Sequence, residues 1–301
     1  MRVLSIGEIL WDVFREREFL GGAPLNFSVS TQRLGNFTVL LSAVGKDSRG
    51  LLALDAMRCH DLTTDFVQIS VGTPTGAALV TIDDSGNAGF VIQRPAAFDV
   101  VAVDEDLISR IMQFQAQWIY FGTLAHAIDE GEQRLIRLLR AQPDAKRFYD
   151  INLRKGHWRL SLVQRLSGLA TIIKMNEVEA EELWHLTHDA EQLFSLEAFC
   201  RFWASTHGCE LICVTLGGKG CAVWQNNALE FFPGFQIQVV DTVGAGDAFA
   251  AGFLHGLNQE WPIAKTALFA NRLGATVASR SGATPEWTVD ECTNREIVST
   301  R

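Results

Sequence analysis

Short apolar runs alternate with amphipathic segments through most of the chain. The short runs have the length of buried strands, and the segments between them place apolar residues at helical spacing. The predicted strands are Val3–Ile6, Thr38–Ala43, Trp118–Phe121, Arg147–Asp150, Thr171–Met175, Leu211–Leu216 and Phe235–Val240. The predicted helices are Leu25–Leu34, Leu51–Cys59, Asp104–Phe114, Glu130–Leu139, Glu177–Leu186, Leu196–Thr206, Ala248–Leu257 and Ile263–Ala278. This alternation predicts a three-layer, doubly wound α/β fold, in which helices cover both faces of a mainly parallel sheet.

One segment breaks this rhythm. Gly76–Ile82 and Gly89–Gln93 read as short strands, and the turn-forming run Asp83–Asn87 joins them into an antiparallel hairpin. Such a hairpin is a candidate lid over the carboxyl ends of the main strands, where doubly wound folds bind ligands. A surface hairpin without function is the alternative. We expect one domain over residues 1–301, with a β lid formed by about 10–22 and 72–98.

Composition and charge narrow the class of protein. The chain has 301 residues, 48% of them hydrophobic, which is ordinary for a globular protein with a large core. A net charge of −9 argues against nucleic acid or an anionic membrane as partner. No apolar stretch approaches the roughly 18 residues of a membrane span. The six cysteines contain no C-x-x-C pair, so buried free thiols are favoured over a metal site, and a reduced, cytoplasmic protein is expected.

The run DTVGAGDAF at 241–249 places two glycines and an acid between a predicted strand and a predicted helix. Gly244 and Gly246 let backbone N–H groups converge on an anion, and the helix dipole adds roughly half a positive charge. An acid is a poor neighbour for that anion unless it handles a proton there, which points to Asp247 as a base. A tight turn capped by Asp247 is the alternative. The third glycine of the dinucleotide fingerprint is missing, and no Walker-type P-loop occurs in the chain.

Polar residues near the N-terminus suit a polyol. Asp12 lies just after the first strand, and the run GGAPLN (21–26) brings Gly22 and Asn26 to a helix start. The glycines permit close approach of a ligand, while Asp12 and Asn26 can hydrogen-bond to vicinal hydroxyls. A helix cap with a surface acid is the alternative.

Two further groups follow strands in the middle of the chain. Asn152 and Arg154 come after one strand, and Arg154 suits a sugar, a phosphate or a simple ion pair. Asn176 and Glu179 share one side of the next helix start, where they can form a capping box, bind magnesium and phosphate, or do both. Arg94 on the hairpin can close over the sugar or the transferring phosphate, and a solvated charge is the default interpretation.

These motifs, in this order from Gly7 to Pro285, resemble the ribokinase-like (phosphofructokinase-B type) carbohydrate kinases. The GGAPLN run, with Arg33-Leu34-Gly35 after it, is particularly similar to fructokinases, although Leu25 and Ile151 depart from their pattern. The resemblance implies transfer of the ATP γ-phosphoryl group to a sugar hydroxyl, with fructose favoured. Kinases for 2-keto-3-deoxygluconate or ribose are alternatives, and a catalytically silent sugar-binding regulator is a further one.

The resemblance also implies roles for particular residues. Asp247 would be the general base, with Gly244, Ala245 and Gly246 as an anion hole. The implied sugar contacts are Asp12, Gly22, Asn26, Asn152, Arg154 and Asp247, and Arg94 joins them as a candidate because of its place on the hairpin. The implied nucleotide contacts are Asn176, Thr215, Gly217, Gly218, Gly220, Gly244, Gly246 and Asn271. Glu179 is implied for Mg2+ through water, and Asp241, Val243 and Gly282 for a monovalent cation such as K+. Similar proteins also imply a homodimer formed through the lid.

Overall fold

A nine-stranded sheet forms the centre of the part of the chain that the computed structural model describes, residues 1–14, 17–82, 88–128 and 130–294. Its strands, in spatial order, are β13 (Ala228–Pro233), β12 (Gly220–Gln225), β11 (Leu211–Thr215), β10 (Ile172–Asn176), β9 (Lys146–Asp150), β8 (Trp118–Gly122), β1 (Arg2–Ile6), β4 (Phe37–Gly45) and β5 (Val67–Ser70). All pairings from β11 to β5 are parallel, and β12 and β13 extend one edge antiparallel. The mainly parallel sheet is as predicted.

Helices cover both faces of this sheet. One face carries α1 (Ala23–Arg33), α2 (Ser48–Cys59), α8 (Ala245–Asn258) and α9 (Ile263–Ala278), with the short α10 (Val289–Asn294) against α9. The other face carries α3 (Glu105–Phe114), α4 (Gly131–Arg140), α5 (Leu160–Ser167), α6 (Glu177–Thr187) and α7 (Leu196–His207). The three-layer prediction is therefore confirmed.

Alternate residues of the central strands pack against opposite helical layers. On β8, Tyr120 belongs to the core cluster that contains α8 and α9, whereas Phe121 belongs to the cluster with α3 to α7. Because such strands are buried on both faces, their sequences are continuously apolar, which makes them easy to recognise.

A second, smaller sheet stands apart from the main one. It consists of β3 (Glu18–Gly21), β2 (Leu10–Val13), β6 (Gly76–Ile82) and β7 (Ala88–Gln93), in that order. The predicted pair β6–β7 is antiparallel as expected, and its predicted turn Asp83–Asn87 lies outside the described residues. The strands β2 and β6 pair in parallel, which joins the two predicted lid segments. That this sheet acts as a lid stays a prediction.

The predicted strand Phe235–Val240 is wrong. The last strand of the main sheet ends at Pro233, and apart from a single-residue bridge at Phe235 the segment up to Val240 is a loop. Its apolar alternation has another cause, since Phe235, Ile237 and Val239 line a cavity next to α8. Further elements that the sequence analysis did not identify are β5, β12, β13, α5 and α10, whereas β2 and β3 were expected only as part of the lid segment at about 10–22.

Two general expectations can also be compared with the described residues. All six cysteines are free, and five are buried while Cys59 is exposed. None of the described helices has the length and apolar character that crossing a membrane requires.

Candidate active site

Asp247 lies in the first turn of α8, buried against the ends of the central strands. The helix begins at Ala245, after Gly244, whose φ of 77° lies in the left-handed region. A Cβ on Gly244 would lie 2.1 Å from the Ala283 carbonyl oxygen, so only glycine fits there. Asp247 is the third residue of the helix and is 9% exposed. Its side chain makes no cap hydrogen bond, so the interpretation of Asp247 as a helix cap is wrong.

Asn26 forms a hydrogen bond with Asp247 from the opposite end of the chain. The amide Nδ2 donates to Asp247 Oδ2 at 2.9 Å, and the buried Asn26 Oδ1 atom has no hydrogen-bond partner within the part of the chain that the structure describes. Asn26 reaches this position because α1 starts just after Gly22, where a Cβ would lie 2.5 Å from the Glu8 carbonyl oxygen. Asn26 and Asp247, both predicted as sugar contacts, are therefore in contact, and the hydrogen bond fixes the position of the Asp247 carboxylate.

Arg154 supplies positive charge to the same end of the cleft. Burial raises the pKa values of Asp12, Glu8 and Asp247, and the positive charge of Arg154 partly opposes this rise at all three. Within the described part of the chain, the guanidinium of Arg154 makes one hydrogen bond, from Nη1 to the Leu153 carbonyl oxygen at 3.5 Å. Its guanidinium is therefore open to an anionic ligand, which favours a sugar or phosphate contact over a simple ion pair.

Asn152 and Arg94 occupy different surroundings. Asn152 follows β9 with a φ of 43°, a conformation that Asn tolerates better than most residues. Arg94 donates to both carboxylate oxygens of the buried Asp99, from Nε at 3.0 Å, so the solvated charge assumed as its default is wrong. Any contact of Arg94 with a sugar stays a prediction and would compete with Asp99.

Asn176 and Glu179 form a reciprocal capping box at the start of α6. The Glu179 N–H donates to Asn176 Oδ1 at 2.9 Å, and the Asn176 N–H donates to Glu179 Oε2 at 2.8 Å. The N–H of Leu153 donates to the remaining oxygen, Glu179 Oε1, at 2.7 Å. Each carboxylate oxygen retains one lone pair, so the capping box leaves Glu179 able to accept a further hydrogen bond. A contact of Glu179 with Mg2+ through water stays a prediction.

Asp241 joins the two loops predicted to hold a monovalent cation. Its Oδ1 accepts from the Val243 N–H and its Oδ2 from the Gly282 N–H, both at 3.0 Å. The two loops are therefore held side by side at the start of α8, as a shared cation site requires. A role for their carbonyl groups in binding K+ stays a prediction.

A cavity of about 240 Å3 adjoins the start of α8. Its lining contains every predicted nucleotide contact except Asn176 and Gly244, together with the apolar side chains of Phe235 and Phe249. Asn271 donates from Nδ2 to the carbonyl oxygens of Phe232 and Pro233, at 3.2 and 3.0 Å. The amide oxygen of Asn271 is then the atom left to accept from a ligand. An apolar cleft with a few oriented polar groups is the usual form of a small-molecule or cofactor site.

The sequence analysis missed two buried groups beside Asp247. Glu8 is 5% exposed, and its Oε2 has no hydrogen-bond partner among the described residues. Burial raises the pKa of Glu8 to about 7. Lys174 pairs with Asp150 behind Gly246. In the sequence, the only sign of these groups is a charged residue next to or within an otherwise apolar strand.

Burial and neighbouring charges also shift the pKa of Asp247. Burial and the negative charge of Asp150 raise its pKa to about 6, whereas Lys174, Asn26 and Arg154 oppose this rise. The carboxyl group therefore gains and loses its proton close to neutral pH, where a general base works best.

Known proteins resemble this chain in sequence and in fold. The family described as pfkB family carbohydrate kinase matches residues 6–289. Fructokinase-1 of Zea mays is 27% identical over 279 residues, which are 88% of this chain and 84% of that protein. Two solved structures share the fold. A fructokinase of Xylella fastidiosa with bound ATP has a TM-score of 0.82 at 24% identity, covering 94% of each chain. A 2-dehydro-3-deoxygluconokinase of Thermotoga maritima has a TM-score of 0.83 at 20% identity, covering 97% and 98%.

The raised pKa of Glu8 predicts a specific dependence of stability on pH. The folded protein keeps a proton on Glu8 that the unfolded chain releases between pH 4.5 and about 7, so the free energy of unfolding falls as pH rises through this window. Glu8→Gln removes this loss because the amide does not ionise. We expect the stability of the variant relative to wild type to increase by about 1–3 kcal/mol from pH 5 to pH 8.

Urea unfolding at several pH values measures this change. Glu182→Gln on the exposed side of α6 is the matched control, and its stability relative to wild type should not vary with pH. Parallel pH curves for wild type and Glu8→Gln would contradict the prediction.

Proposed function

The chain belongs to the pfkB family of carbohydrate kinases, and on that premise we propose that it transfers the ATP γ-phosphoryl group to a hydroxyl of fructose, with Asp247 as general base. The observation that carries the assignment of the base is the position of Asp247. It is a buried carboxylate at a helix N-terminus, with a pKa of about 6, and the neighbouring Gly246 lines the cavity described above.

The proposed reaction uses the two ends of the cleft. The sugar lies near Asp12, Asn26 and Arg154, and the nucleotide occupies the cavity beside Asn271. The acceptor hydroxyl attacks the γ-phosphorus as the bond to ADP breaks, and its proton passes to Asp247. An alcohol is a far weaker acid than a carboxylic acid, so Asp247 takes the proton during the transfer and not before it. Positioning and electrostatics supply most of the acceleration in phosphoryl transfer.

The start of α8 would stabilise the transferring group. The N–H of Ala245 donates to the Thr242 carbonyl oxygen at 3.2 Å, so this role would fall mainly to the N–H groups of Gly244 and Gly246. The dipole of the helix favours negative charge at the same place. When bound, Mg2+ would neutralise phosphate charge, with Glu179 contacting it through water. The fold leaves the catalytic carboxylate and this anion hole within one turn of helix.

Fructose is the proposed acceptor because two lines of support agree. The run GGAPLN resembles fructokinases, and Fructokinase-1 of Zea mays is a relative over 88% of the chain. The second candidate is 2-keto-3-deoxygluconate. The likeness to a 2-dehydro-3-deoxygluconokinase favours it, and so does Arg154, whose open guanidinium suits a carboxylate.

The small sheet and the loops at the start of α8 extend the proposal. The sheet would close over the sugar as a lid. Two exposed aromatic residues would suit contact with the lid of a second copy. They are Phe14, which follows β2, and Phe19, which lies on β3. A monovalent cation held near Asp241 would fix the loop before α8. The cytoplasmic location also stays a prediction.

Asp247→Asn tests the base directly. The amide keeps the shape of the side chain but cannot accept the proton, so we expect kcat to fall by about 10²- to 10⁴-fold. The dissociation constant of the sugar should change by less than about threefold, as measured by calorimetry, because the variant retains its hydrogen-bonding capacity. Equal loss of binding and turnover would count against the base assignment.

A coupled assay of ATP consumption with several sugars tests the substrate. Wild type should show its highest kcat/KM with fructose, ahead of ribose and 2-keto-3-deoxygluconate, and Asp247→Asn serves as the inactive control. A higher kcat/KM with 2-keto-3-deoxygluconate would replace the proposed acceptor. Tight sugar binding without any ATP consumption would instead identify a silent regulator.

A further inference from the structure

A buried ion pair lies behind the predicted anion hole. Lys174 and Asp150 are directly opposite each other on the parallel strands β10 and β9. Lys174 Nζ lies 3.0 and 2.9 Å from the two carboxylate oxygens of Asp150, and the Tyr120 hydroxyl donates to Asp150 Oδ2 at 3.0 Å. The side chains of Lys174 and Asp150 are 8% and 1% exposed. Three neighbouring strands thus hold one cation in a fixed place.

That place is the N-terminus of α8. Lys174 Nζ lies 3.4 Å from the point where a Cβ on Gly246 would stand, and Gly246 is the second residue of the helix. A helix N-terminus already carries about half a positive charge, so a buried ammonium beside it is repelled. Two positive groups facing the same point are an arrangement that an anion would stabilise.

Stability alone does not explain the pair. Buried ion pairs contribute little to folding, because desolvation of the two charges offsets their attraction, and apolar replacements are often as stable. Apolar residues would also match the rest of these strands, which lie in continuous core. A charge retained at this position therefore calls for a functional reason.

We propose that Lys174, held in place by Asp150, is a positioning residue for phosphoryl transfer: its fixed charge behind Gly246 stabilises the negative charge that collects in the anion hole. This inference rests on the proposed kinase function. Lys174 keeps its protons throughout. The new O–P bond forms at the sugar oxygen, the bond to ADP breaks, and the hydroxyl proton goes to Asp247.

The charges around the pair agree with this role. Burial alone would lower the pKa of Lys174, but the carboxylates of Asp150, Asp247 and Glu179 outweigh it and raise that pKa, so the ammonium stays charged. Lys174 and Asp150 act on Asp247 in opposite directions, since Lys174 lowers the pKa of Asp247 and Asp150 raises it.

The other groups that face Asp247 have also to be considered. Asn26 on α1 and Arg154 after β9 both lower its pKa, and Asp247 in turn raises the pKa of Glu8, which follows β1. None of them is altered in the variants used below. A change in the pH profile of those variants therefore reports on Lys174 and Asp150.

The experiment compares Lys174→Met, Asp150→Asn and the double variant with wild type. The double variant removes both charges together, so it is expected to fold, and thermal unfolding checks this. We expect kcat with fructose to fall by about 10²-fold in Lys174→Met and in the double variant, with KM for fructose within about threefold of wild type. Lys146→Met, at the other end of β9 and exposed, is the matched control and should retain full activity.

The pH profile separates this role from a merely structural one. The acid limb of kcat/KM should move to higher pH in Lys174→Met and to lower pH in Asp150→Asn. A folded double variant with the kcat of wild type would overturn the inference, and so would acid limbs that move in the same direction or not at all. If wild type itself phosphorylates no sugar, the proposed function fails and the inference fails with it.

Discussion

The hydrogen bond between Asn26 and Asp247 is the contact on which the rest of the site depends. It joins residues 221 positions apart and brings the N-terminal starts of α1 and α8 together over the ends of the central strands. Gly22 and Gly244 make the approach possible, because a side chain at either position would collide with backbone. The predicted sugar end and the predicted nucleotide end therefore form only when both ends of the chain are folded.

Several buried ionisable side chains surround the contact between Asn26 and Asp247. The carboxyl group of Asp247 lies within electrostatic reach of those of Glu8 and Asp150, and Lys174 and Arg154 supply the opposite charge. Burying so many ionisable groups opposes folding, and such clusters of shifted pKa values are typical of catalytic sites. The large apolar core on both faces of the sheet supplies the stability that this arrangement requires.

The sequence predicts the frame of the protein better than its details. Strands such as Trp118–Phe121 were recognisable because both faces are buried, and GAGD was recognisable because glycines and an acid at a helix start have few other uses. The strand predicted at Phe235–Val240 is wrong because residues that line a cavity can show the same apolar–polar alternation as a strand. Lys174 and Asp150 were missed as a pair because strand register, which brings them together, is not visible in a single sequence.

The pH dependence of kcat/KM for wild type tests the central claim, that Asp247 is a buried base with a raised pKa. The account predicts that kcat/KM falls about tenfold per pH unit below about pH 6 and is level above it, because the protonated carboxyl cannot accept the hydroxyl proton. Glu8→Gln should keep this inflection, so that it is assigned to Asp247 and not to Glu8. A rate that stays level down to pH 5 would contradict the account.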